Sequence, residues 1–126
     1  MRVVIVTLIT TIFVLVFSIF SVYILDSTAT EMLNVLNEID RAINDRHWES
    51  ALNQANILKE QWQKNHLIWT ILLDHSVIDN IQLSIAHIKA FIISQDYAQV
   101  KAEIAGLYLF LKDIPENEKL TIRNVF

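Results

Sequence analysis

The residues from Val3 to Leu25 form an unbroken uncharged run, mostly aliphatic and aromatic, bounded by Arg2 and Asp26. Coiled as a helix at about 1.5 Å per residue, this run is roughly 35 Å long, enough to cross a ~30 Å hydrocarbon core with some tilt. Its Val and Ile content is poor for a soluble helix. In lipid, however, the backbone has no partner but itself. A secretory signal has a shorter apolar stretch, although Ser27-Thr28-Ala29 resembles a cleavage site. No cysteine comes after the run to carry a lipid anchor. The reading adopted is an uncleaved signal-anchor over residues 1–25. Arg2 precedes it and acids come after it, so the positive-inside tendency leaves the N-terminus cytoplasmic and residues 26–126 outside. The expected location is the cell membrane, crossed once.

Within the run, Thr7, Thr10, Thr11, Ser18 and Ser21 fall inside an arc of roughly 100° on a helical wheel. Phe13, Phe17, Phe20 and Tyr23 gather on the other side. Small hydroxyl faces suit close helix–helix approach, and bulky ones suit lipid. Alternatively, the hydroxyls bond their own i−4 carbonyls and need no partner.

The chain from Asp26 onward is long enough for one small domain. Of ten basic and fourteen acidic residues only Arg2 precedes Asp26, so this part is acidic. That argues against nucleic acid and against a domain lying flat on anionic lipid. With no cysteine, disulfides, thiol chemistry and Cys-based metal sites are excluded. One glycine and one proline in the whole chain imply long helices joined by short turns.

Helical periodicity then recurs along the chain. Met32, Leu36, Ile39 and Ile43 share a face, and Thr28 and Glu31 have capping-box spacing, yet nothing from Leu25 to Asn44 breaks a helix. Asn44-Asp45-Arg46-His47 signals a turn. A long helix over 48–73 carries Ala51, Ala55, Leu58, Trp62, Trp69 and Leu72 on one stripe. Its end, Leu67 to Leu73, is uncharged and too short to span a membrane, so burial in the domain is expected, with an exposed patch as the alternative. Asp74-His75-Ser76 marks a break, with Ser76 and Asp79 again at capping spacing. A third helix shows Ile78, Ile81, Ile85, Ile88 and Ile92. After Ser94-Gln95-Asp96 a fourth carries Tyr97, Val100, Ile104, Leu107 and Leu111 and stops at Ile114-Pro115. Gly106 inside it suggests a close helix crossing. The tail ending in Ile122, Val125 and Phe126 is apolar enough to dock on the bundle.

A shift of 49 residues superposes Leu36, Ile39, Ile43 and Trp48 on Ile85, Ile88, Ile92 and Tyr97, and continues through the next helix. Two αα-hairpins fall short of a solenoid, so a compact bundle is the economical arrangement. The expected fold is all-α: an N-terminal transmembrane helix, then an antiparallel bundle of about four helices.

Catalytic signatures are absent: one glycine permits no phosphate loop, and no serine lies in a nucleophile elbow. His75 and Asp79 have ligand-like i, i+4 spacing with Asp74 alongside. Zinc asks for three or four ligands, so Asp74 and Ser76 as helix caps, with His75 satisfied locally, is the plainer reading. Neither a catalytic residue, a cofactor nor a metal is therefore assigned. Trp62 and Trp69 share a face that suits a core better than a ligand box.

The stretch Trp69-Thr-Ile-Leu-Leu-Asp-His-Ser-Val-Ile-Asp-Asn-Ile81, the Trp48-Glu49-Ser50-Ala51 opening, Trp62 and the exit Ile114-Pro115-Glu116-Asn117-Glu118-Lys119-Leu120 resemble the family catalogued as domain of unknown function 4363. The resemblance extends over the whole length, with Trp-x4-Asp-His-x3-Asp its most specific part. It implies a membrane-tethered helical domain from Gram-positive spore-formers and their relatives, often accompanying a multi-span membrane protein of unknown role. It supplies no activity. The function expected is that of an interaction protein, an accessory subunit of another integral membrane protein or a homo-oligomer held through the span. Its partner surface is expected at Thr7, Thr11, Ser18 and Ser21 and, on the outer domain, Trp69, Asp74, His75 and Asp79. The alternative is an extracytoplasmic sensor taking a metal or small ligand near His75 and Asp79.

Overall fold

A computed structural model describes residues 1–125, the side chains of Glu118, Thr121, Ile122 and Val125 excepted. Four helices succeed one another: α1 (Arg2–Asn44), α2 (Trp48–Leu72), α3 (His75–Ile93) and α4 (Tyr97–Val125). Each packs on its neighbour in sequence and α4 closes back on α1, with no diagonal contact among the described residues, giving an up-down-up-down bundle.

With no glycine or proline before Gly106, nothing interrupts α1 over its 43 residues, about 64 Å. The membrane-type run and the first bundle helix are thus one rod. The Thr28/Glu31 capping box does not form. Inside a continuous helix Thr28 has no free N–H to accept, and its hydroxyl instead donates back to the Ile24 carbonyl at 2.8 Å. The Ser76/Asp79 box is unformed too: α3 starts at His75 with Asp74 at its N-cap and no side-chain bond. Asp96 does cap α4, accepting the Gln99 N–H at 3.2 Å.

Burial on α1 begins at Leu25 and repeats through Ala29, Met32, Leu36, Ile39 and Ile43. Every aliphatic position expected of α3 is buried: Ile78, Ile81, Ile85, Ile88 and Ile92. Among the described residues no polar or charged residue is buried. Two helices, α1 and α3, are long and apolar enough to cross a membrane. They differ in what covers them. The α3 stripe is the bundle core, whereas α1 from Val3 to Phe20 packs on almost nothing.

The 49-residue echo extends to the backbone. At the end of α1 the Arg46 N–H donates to Ile43 O (3.0 Å) and the His47 N–H to Ala42 O (2.8 Å). At the end of α3 Gln95 donates to Ile92 O (3.0 Å) and Asp96 to Phe91 O (2.9 Å). Both are Schellman motifs. Their left-handed residues, Arg46 (φ 60°) and Gln95 (φ 55°), lie 49 apart.

Three expectations are corrected. The fourth helix runs through Pro115 to Val125 rather than stopping there. Pro115 lacks the N–H for Leu111 and costs about 3 kcal/mol in a free helix. Here Ile114 and Pro115 are buried against the bundle and Lys119 meets Asp26 beyond them. Gly106 marks no close crossing, since nothing lies within 4 Å of where its Cβ would be. The run Leu67–Leu73 is not buried as a unit: Trp69 is wholly buried, while Leu67, Ile68 and Ile71 are exposed. The expected docking of Ile122, Val125 and Phe126 lies outside the described residues.

Candidate functional site

On α1 the hydroxyl stripe is satisfied from within. Thr7 donates to Val3 O (2.7 Å), Thr10 to Val6 O (2.8 Å), Thr11 to Thr7 O (2.8 Å) and Ser21 to Phe17 O (2.8 Å). These side chains need no partner as hydrogen-bonding groups. What remains is their size: with Ser18 they make the narrow side of the rod, opposite Phe13, Phe17, Phe20 and Tyr23.

Trp69 offers a partner no surface. Its ring is fully buried and its Nε1–H donates to Thr28 Oγ1 at 2.7 Å. Trp62 meets it edge-on, with centroids 5.7 Å apart. A buried indole needs an acceptor, and the α1 hydroxyl supplies it, so Trp69 bolts the end of α2 to the start of the buried part of α1. Asp74, His75 and Asp79 are exposed at the same end of the bundle and make no hydrogen bond or ion pair with one another. Among the described residues no group of three His, Cys, Asp or Glu side chains comes together to hold a metal.

The seam between α4 and α1 is filled. Leu33 and Tyr108 pack against the core there. Lys101 is paired with Asp40, Lys119 reaches Asp26 at 3.5 Å, and the Arg46 guanidinium lies 3.7 Å from the Tyr97 ring centroid. The α2–α3 seam is its counterpart under the 49-residue shift, and it is open. Gln82 stands where Leu33 does, Lys59 where Tyr108 does, and Ala86 and Ala90 where Asn37 and Arg41 do. The result is a groove of about 600 Å³ floored by Trp62 and Ile85. Lys59, Lys89 and His66 line it, and among the described residues neither lysine has an acidic partner. Periodicity could not reveal this groove, because the residues that make it are the ones that fail to fill a seam.

The α3–α4 contact carries its own polar clasp. Glu103 accepts from Ser84 Oγ at 3.1 Å and meets His87 Nδ1 at 3.1 Å. The arrangement ties two helices together, which suits a structural role.

A family model described as Domain of unknown function (DUF4363) matches residues 19–125. No curated protein and no solved structure matches the chain.

Proposed function

Because the chain belongs to the DUF4363 family, to which no activity is attached, we propose from its own geometry that it is a membrane-anchored, non-catalytic accessory subunit of another integral membrane protein. The observation that carries this is the rod itself. Over Val3 to Phe20 α1 is uncharged on every side, its threonine hydroxyls bonded within the helix, with almost nothing packed on it, then continues unbroken into the buried core of the bundle. A helix apolar all round belongs in lipid. Arg2 before the apolar run and Asp26 and Glu31 after it favour a single crossing with the bundle outside.

The partner contact along the span is one of shape. Since Thr11 already bonds within its own helix, smallness, not polarity, is what the narrow face offers. Co-purification in mild detergent is the test, with a stoichiometric membrane protein expected alongside the chain. Thr11→Leu with Ser18→Leu should release it, and Thr11→Val, which keeps the shape and loses the hydroxyl, should not. A monodisperse chain with no companion in either case would refute the reading.

A further inference from the structure

We propose that the bundle does not swing free on its rod but is seated in the headgroup layer of the same bilayer, through the last two turns of α2 and the end of α4. The inference rests on the reading that α1 spans that bilayer. The Trp69–Thr28 hydrogen bond fixes where α2 ends relative to α1. Ile71 stands about 3 Å further along the axis, level with Asp26 at the top of the apolar run. At that level α2 is uncharged on all sides, Thr70 being its one polar residue. No charged residue lies between His66 and Asp74, and Leu67 and Ile71 are each 70% exposed while Trp69 between them is 0%. A soluble bundle has no reason to encircle a buried Trp with exposed Leu and Ile at its end, whereas an element lying in the interface does.

The end of α4 points the same way independently. Lys119 meets Asp26 at 3.5 Å. Beyond it α4 runs antiparallel alongside the α1 segment where Ser21, Val22 and Ile24 are half-covered. Leu120 is 48% exposed there. Arg123, four residues past Lys119 and about 6 Å deeper, is exposed level with Val22, from where a long basic side chain reaches back to the phosphates. The turn at this end, Asp74-His75-Ser76, is as polar as the far-end turns Asp45-Arg46-His47 and Ser94-Gln95-Asp96, so the seat rests on the exposed Leu67, Ile71 and Leu120. Three helices, not one, therefore meet the membrane.

The cysteine-free sequence allows a direct test in the full chain, reconstituted alone into phosphatidylcholine–phosphatidylglycerol nanodiscs. Single variants Phe13→Cys, Leu67→Cys, Ile71→Cys and Ile93→Cys carry a bimane label, and a fraction of the lipid carries a nitroxide, near the top of its acyl chain in one sample and near the methyl end, to reach Phe13, in another. Nitroxide quenching severalfold stronger at Leu67 and Ile71 than at Ile93 is expected, together with quenching at Phe13. If Phe13 is quenched but Leu67 and Ile71 behave like Ile93, the seat is wrong while the span stands, and the patch is left to a protein partner. If Phe13 is not quenched either, the span itself fails.

Discussion

Arg46 and Gln95 hold left-handed backbone that usually falls to glycine, because each closes a Schellman motif whose geometry demands it. The strain should be relievable. Gln95→Gly is expected to raise stability by about 0.5–1 kcal/mol, since the side chain's steric penalty there exceeds glycine's loss of entropy. Arg46→Gly should gain much less, because its guanidinium lies over Tyr97 and that contact is worth about 0.5–1 kcal/mol. Thermal unfolding of the detergent-solubilised chain compares the two. Equal gains would mean that the Arg46–Tyr97 contact contributes nothing. The chain's one glycine sits where no backbone requirement exists, so Gly106→Ala should add about 1 kcal/mol of helix propensity in the same assay.

At the scale of elements the continuity of α1 matters most, since it makes the orientation of the bundle depend on that of the span. Ser27 is exposed in mid-helix. Ser27→Pro should cost at least about 3 kcal/mol through the lost bond and the clash with the preceding turn. Had a fresh helix begun at a Thr28 cap, residue 27 would lie outside it and proline would be harmless, so the melting temperature of this variant separates the two arrangements. The helices themselves were legible because Ile78 through Ile92 and their counterparts on α1 repeat with helical spacing, which reports a buried face directly. The capping boxes misled because Thr28 and Glu31 can be three apart anywhere in a helix. Spacing marks a cap only where the helix is already broken. Pro115 misled for another reason: packing of the buried Ile114 and Pro115 against the bundle outweighs a local propensity that sequence reads alone. The exposed end of α2 was illegible because a pattern says which residues are apolar and not what covers them.

As a whole molecule the protein is a rod that carries one filled seam and one open one. Lys59 and Lys89 border the open seam in a chain that is acidic overall, so, on the accessory-subunit reading proposed above, an acidic amphipathic helix is the occupant expected there. Two copies of this face would set lysine against lysine. Lys59→Glu with Lys89→Glu should reduce partner recovery severalfold and leave the melting temperature nearly unchanged, because Lys59 is exposed, Lys89 only half-buried, and lysines with no ion pair among the described residues contribute little to folding. Unchanged recovery would confine the partner contact to the span. The central claim, that α1 crosses the membrane with its N-terminus inside and its bundle outside, is tested most directly by labelling Asn53→Cys on α2 in intact cells with a membrane-impermeant maleimide. Labelling of the membrane-bound protein without lysis is the expected result. Labelling only after lysis, or recovery of the chain in the soluble fraction, would contradict it.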